Sequence, residues 1–546
     1  MTFLRSFLRS ISVVGLLVGL ILFSISLTPS LLPRIPLAQG VLSGVVFTVG
    51  YGVGRLTHWL WLFLEIREFQ GKFARNVSAA LLALAAGTAI ATLTRMSVWQ
   101  NSIRDLMGMA EIDSAYPVSV LSIAILTATL VLLITRVLIW TGNKASAQAN
   151  RVLPHRLSVA LGVLLVAFVV ITAMNKLVIS SALHAMDELF ATIDEITDEG
   201  SDEPAQFADS LIHWDDIGRN GKRFLTDGPD KSEIAEMTGR SAKQPIRVIA
   251  GYNSAETVEQ RAAIAVTELD RQGGFDRPVL IIATPTGTGW LDPAAMQPVA
   301  FMHNGDLAIV SMQYSYLPSW LTLMIDPDLS RESARALFDA VYARWSVMPQ
   351  DTRPRLYLFG LSLGALGSEA SADLISLLTD PINGALWAGP PFASTLWPRI
   401  TANRNPGSPQ WRPLFRDSSL IRFMTHDGFT PGMPTQWGPI RIVYLQHPSD
   451  PMSFFSPSLA FSAPDWLGTD RGSDISPHFT WNPLVTFFQV GFDIPMATTV
   501  PPGHGHTFTP AGYIEAWLAV TAPDNWTKEN TKRLKARFAD FSASPI

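Results

Sequence analysis

The chain contains no cysteine. Structural disulfides, Cys-based metal sites and a Cys nucleophile are therefore excluded. The compartment stays open, because a protein without thiols is chemically safe on either side of a membrane. Charge is also scarce. Only 16% of the 546 residues are Asp, Glu, Lys or Arg, against roughly 25% in an average soluble domain. The formal net charge is -5, and no basic run of the kind that tracks phosphates occurs, which argues against nucleic acid as a partner. Internal repeats and low-complexity tracts are lacking too. Hydrophobic residues make up 48% of the chain, and they are unevenly placed.

The surplus lies in the first 180 residues, in five apolar stretches: Ile11–Leu27, Val41–Leu64, Val77–Leu93, Val118–Ile139 and Leu157–Val178. Each approaches the roughly 20 residues needed to cross a bilayer. No small-x-small cleavage site follows the first, so a retained helix is expected there rather than a signal peptide. Several of the 16 Trp flank these stretches. Arg5 and Arg9 precede the first; Arg67, Lys72 and Arg75 separate the second and third; Arg136, Lys144, Arg151 and Arg156 accompany the turn from fourth to fifth. The intervening loops are poorer in Lys and Arg. By the positive-inside rule the N-terminus is cytoplasmic, and five crossings place the remainder outside the cell membrane. The organisation predicted is a helical transmembrane domain over residues 1–180, a partly helical, acidic connector over 181–242, and a second domain over 243–546.

From Pro245 strands and helices alternate. Strands are predicted at Ile246–Gly251, Pro278–Thr284, Leu307–Gln313, Arg355–Phe359, Gly384–Ala388 and Ile440–Gln446, with helices between them and a last helix over Ala511–Val520. Short buried strands alternating with helices predict an α/β fold, a mostly parallel sheet covered on both faces.

One Gly-x-Ser-x-Gly occurs, Gly360-Leu361-Ser362-Leu363-Gly364. It follows the strand "RLYLF" and precedes small residues suited to a close-packed helix. That context is what a nucleophile elbow needs: a sharp strand-to-helix turn whose flanking glycines let strained backbone close while Ser Oγ projects. A hydroxyl attacks only if a base takes its proton and an acid orients the base. Asp450 supplies the acid, ending "HPSD" just after the strand IRIVYLQ; Asp474 and Asp493 follow no such strand. The base is His506 or His504, both in "PPGHGHTF". A metal there is disfavoured, since no nearby carboxylate cluster completes a ligand set, and no cofactor is indicated. An oxyanion hole needs two backbone N–H groups. Leu363, after the Ser, offers one, and Thr286 or Gly287 in the loop "PTGTGW" offers the other. "YSYLPSWLTLM" and "WAGPPFASTLWP" also follow strands. They make Tyr314, Tyr316, Trp320 and Trp387 candidate walls of an apolar pocket at the carboxyl ends of the strands.

"SLTPSLLPR", "WQNSIRDLMGM", "PTGTGW", "MQYSYLPSW", "LYLFGLSLGALGSE", "ALWAGPP", "VYLQHPSDP", "PDWL" and "GHGH" span nearly the whole chain. Together they resemble a bacterial family of membrane-anchored α/β-hydrolases. In that family the elbow often reads Gly-Glu-Ser-Leu-Gly; Leu361 here makes the residue beside the Ser apolar. The resemblance implies a helical membrane part followed by an α/β-hydrolase domain, and hydrolase chemistry with no fixed substrate. A membrane tether and an apolar pocket point to a lipid or envelope ester met at the bilayer. An acyltransferase using the same residues, or a non-enzymatic transporter or scaffold, are the alternatives.

Overall fold

The structure is a computed structural model. It describes residues 12–67, 71–151, 154–173, 192, 194, 203, 207, 209–371, 380–433 and 436–541. Arg5, Arg9, most of the acidic connector and the end of the helix expected to reach Leu378 lie outside the described residues. The chain forms two compact units. One comprises residues 1–178 with 455–501, the other 179–454 with 502–546.

In the first unit each apolar stretch becomes a helix: α1 (Val13–Ser26), α2 (Pro36–Phe63), α3 (Lys72–Leu106), α4 (Pro117–Ala149) and α5 (His155–Ala173). Pro at the start of α2 and α4 suits a position whose N–H has no intrahelical acceptor. Among the described residues three helices, α2 to α4, are long and apolar enough to cross a membrane. Of the five expected spans, the first and the fifth are not among these three. Helix α1 has 14 residues, about 21 Å at 1.5 Å per residue, short of the roughly 30 Å hydrocarbon core. Helix α5 is described only to Ala173. The helices approach through small residues, as apolar helices do when no water drives them together. A Cβ on Gly15 would lie 2.9 Å from the Tyr51 ring, and one on Gly54 would lie 2.6 Å from the Val14 carbonyl.

The unit recruits 455–501 from the middle of the stretch read as one continuous catalytic domain. Its helix Val485–Asp493 buries Val485 against Leu42 and Val46. A buried polar lattice ties it to the α1–α2 turn. Arg34 Nε donates to Asp493 Oδ1 at 2.8 Å, Arg34 also donates to the Gln489 carbonyl, and the Leu31 N–H donates to Asp493 Oδ2. The Arg34 N–H donates to Gln100 Oε1 of α3. Both charged side chains are fully buried. Removing one charge strands the other, at a cost of about 3–5 kcal/mol. Arg34→Met or Asp493→Leu alone is therefore expected to lower the thermal midpoint of the detergent-purified protein sharply. The double variant is expected to lie well above either single one.

The second unit holds an eight-stranded sheet in the order β1-β3-β2-β4-β5-β8-β6-β7. The strands are β1 (Ile246–Ala250), β2 (Val279–Thr284), β3 (Ala308–Met312), β4 (Arg355–Leu361), β5 (Gly384–Ala388), β6 (Ile421–Thr425), β7 (Gly428–Phe429) and β8 (Arg441–Leu445). All neighbours are parallel except β6 and β7. Every residue of β2, β3 and β5 is buried, which requires cover on both faces. The six expected strands are present, and the β6–β7 hairpin is additional. Register matters most for function. Thr284 pairs with Gly360, Leu361 with Ala388, and Ala388 with Leu445. The carboxyl ends of β2, β4, β5 and β8 are level, so the loops after them open on one edge.

Candidate active site

Ser362 follows β4 directly and has φ +58°, in the left-handed region that a side-chain-bearing residue adopts only at a cost. The turn is held because the Ser362 N–H donates to the Ala388 carbonyl at 2.9 Å. The helix Leu363–Ser371 starts at the next residue. Close approach explains Gly364: a Cβ there would lie 2.2 Å from the Thr284 carbonyl. The β2 loop therefore rests on the first turn of the elbow helix.

Asp450 lies just beyond β8 and is completely buried. One of its oxygens accepts the Met452 N–H at 2.8 Å, and the other is 2.7 Å from His506 Nδ1. A carboxylate facing Nδ1 puts the ring proton there and leaves Nε2 without one. His506 in turn packs over Gly389, where a Cβ would meet its Cε1 at 2.4 Å. The His506 ring and the Ser362 backbone thus converge on the end of β5, at Ala388 and the next residue, Gly389. Ser362 Oγ and His506 Nε2 are both buried without a hydrogen-bond partner. Such atoms are rare in native folds and call for an explanation.

The structure separates the two candidate histidines. His506 meets Asp450, whereas His504 is half-buried, with its ring 5.2 Å from that of His426. Asp493 belongs to the first unit, paired with Arg34. Leu363 begins a helix, where the N–H groups lack intrahelical acceptors. In the β2 loop the Thr286 N–H donates to the Trp290 carbonyl, while the Gly287 N–H donates to Ser319 Oγ at 3.2 Å. The pocket assignments divide. Tyr314 and Tyr316 are buried after β3, and Trp320 is exposed on the short helix Ser319–Ile325. Trp387 needs correction: it is buried in the core, its indole N–H donating to Ser368 Oγ at 2.9 Å and its ring against Tyr444. A strand covered on both faces hides its aromatic side chain under a helix instead of offering it to a loop.

Sequence reading passed over Glu369, on the elbow helix. It is buried, and Oε2 accepts the N–H groups of Leu396 and Trp397 at the start of the helix Leu396–Ala402. Burial pushes its carboxyl up to about 7, against the pull of those two amides. The folded state thus prefers the protonated form. Its contribution is whole below the ordinary value near 4.5 and is lost as pH rises through about 7, a loss on the order of 3 kcal/mol. Glu369→Gln keeps an acceptor for both amides. The variant is expected to match the wild-type thermal midpoint at pH 5 and to exceed it at pH 8.

Among the described residues no cluster of three or more His, Asp or Glu is arranged to hold a metal ion. The comparisons agree with the architecture. Residues 246–534 match the alpha/beta-hydrolase family, and residues 27–229 match the N-terminal region described for that family. Comparison with curated proteins and with solved structures returned no match. With more than half its length matched, and with a mostly parallel sheet behind three helices able to span a membrane, the chain belongs to the alpha/beta-hydrolase family.

Proposed function

We propose that the chain is a membrane-bound serine hydrolase that cleaves an acyl ester of a lipid or envelope component. The observation that carries this reading is the Asp450–His506 pair, whose free Nε2 is buried at the same strand end as the partnerless Ser362 Oγ. Ser362 Oγ attacks the acyl carbon while its proton passes to His506 Nε2. The alcohol leaves with that proton, and water, deprotonated by the same nitrogen, releases the acid. The negative oxygen of each tetrahedral intermediate is met by the Leu363 N–H and by that of Gly287. Gly287 is preferred to Thr286 because its amide is held only by a side-chain hydroxyl, which can yield, whereas Thr286 is committed to the backbone of its own loop. Trp320 and Met324, exposed on the helix that begins at Ser319, give that side of the loop the apolar character an acyl chain requires.

The test is a panel of purified substrates in detergent: short soluble esters, long-chain lipid esters, and lipid esters with an added alcohol acceptor. Long-chain hydrolysis is the expected activity. Good cleavage of short esters with every lipid refused would sink the lipid assignment, and transfer to the acceptor would favour an acyltransferase.

The same reading puts the catalytic loops on the outer side of the membrane, and the first unit supports it. Segment 455–501 binds the turn between α1 and α2 and the end of α3, where Ser102 Oγ lies 2.8 Å from Ser476 Oγ. This is the end opposite Arg67, Lys72 and Arg75, hence the outer end by the positive-inside rule. The chain on either side of 455–501 has no membrane-length apolar helix before the catalytic loops, so these lie outside as well. The absence of cysteine makes the check clean. In intact cells a membrane-impermeant maleimide is expected to label Phe461→Cys, and to label Lys72→Cys only after permeabilisation. The reverse pattern would place the hydrolase domain in the cytoplasm.

A further inference from the structure

His447 and Ser449 precede Asp450 in "HPSD", and neither has a part in the chemistry above. Their side chains meet one residue, Gly505, immediately before His506. His447 is buried, with Nδ1 3.0 Å from the Gly505 carbonyl oxygen. A carbonyl cannot donate, so Nδ1 carries the proton. The Gly505 N–H donates to Ser449 Oγ at 2.8 Å. The two peptide groups flanking Gly505 are therefore each held by a side chain of one short turn. That turn is itself closed by the Asp450 N–H donating to the His447 carbonyl. Its third side chain, Asp450, holds the His506 ring.

The need for a clamp is local. Gly505 has φ +52° and Gly503, two residues earlier, φ +97°. Backbone hydrogen bonds from the Gly503 N–H to the Thr507 carbonyl and from the Thr507 N–H to the His504 carbonyl close the loop. The peptides on either side of Gly505, however, are held by side chains, and glycine leaves them free to rotate. Rotation of either peptide would swing His506 away from Asp450. The His447 ring also lies against Phe508, centroids 4.6 Å apart and planes 23° from parallel, which fixes the loop beyond His506.

We propose that His447 and Ser449 are positioning residues that set the placement of His506 through Gly505. This rests on the reading of Ser362, Asp450 and His506 as a triad. Misplacing a reacting group by about an ångström costs on the order of 100-fold in rate, so loss of one clamp is expected to lower kcat about 10–100-fold with KM little changed.

Three variants test it in purified full-length protein, by ester kinetics and by the rate of Ser362 modification with a fluorophosphonate. His447→Phe keeps the stacking on Phe508 and removes the donor. His447→Asn keeps a donor near the Nδ1 position. Ser449→Ala removes the acceptor and perturbs packing least. Slow turnover and slow modification in His447→Phe and Ser449→Ala, with rates restored toward wild type in His447→Asn, is the expected pattern. Wild-type rates in Ser449→Ala and His447→Phe would overturn the proposal, as would equal slowing of His447→Asn and His447→Phe. Ser362→Ala and Asp450→Asn run alongside separate the two ideas. If those also match wild type the triad reading fails, and if they alone are impaired only the clamp fails.

Discussion

Ser362→Ala is expected to lower ester turnover by about 10⁵–10⁶-fold, the scale seen when a nucleophile of this type is removed. The protein should remain folded and at least as stable. Its hydroxyl makes no hydrogen bond, so Ala strands no partner, and the backbone strain at φ +58° is the same for both residues. Ser362→Gly adds a useful control. Glycine adopts this φ without penalty, so the variant is expected to be inactive yet more stable by up to about 1 kcal/mol. Activity lost together with stability gained would show that the fold holds the elbow against a local cost.

Asp450→Asn is expected to lower kcat by about 10³–10⁴-fold while leaving KM within a few-fold. Asn fits the space and can still accept the Met452 N–H. Toward His506 its amide donates where the carboxylate accepted. That turns the imidazole into the tautomer with its proton on Nε2, which cannot take a proton from Ser362. The defect is one of protonation at preserved geometry, so the thermal midpoint should barely move, and Ser362 modification should slow in parallel with turnover. An Asp450→Asn enzyme of normal rate would move the acid role to another carboxylate.

Much of the second unit was legible because buried parallel strands are short, continuous apolar runs, and "RVIA", "VLIIAT", "AIVSM", "RLYLF" and "RIVYL" have little else to be. The strand–turn–helix around Ser362 was legible for the same reason: its glycines answer a steric demand that sequence displays. The β6–β7 hairpin was not read, although "IRFMT" followed by His426, Asp427 and Gly428 carries a strand and a turn signal. Its strand carries a charged residue, Arg422, and sits beside an irregular stretch rich in Pro and Arg. That His506 and not His504 meets Asp450 needed the fold, since spacing treats the two alike. Trp387 misled because an aromatic next to a loop looks like a pocket wall until both faces of its strand are seen to be covered.

The helical part was legible in composition and less so in extent. Five apolar stretches do become five helices, yet length separates α2, α3 and α4 from α1. Least legible was the recruitment of 455–501 into the helical unit. Arg34 and Asp493 lie 459 positions apart, and a buried ion pair at that distance leaves no local pattern. Asp493 read alone is one more carboxylate near the end of the chain; its role becomes plain only beside Arg34.

The central claim is that Ser362 is a nucleophile activated by His506 and Asp450. The most direct measurement treats the detergent-purified protein with a fluorophosphonate and locates the adduct by peptide mass spectrometry. One adduct per chain is expected, on the peptide that contains Ser362, absent in Ser362→Ala and formed far more slowly in Asp450→Asn. No adduct in active, folded protein, or an adduct on another residue that survives Ser362→Ala, would contradict it.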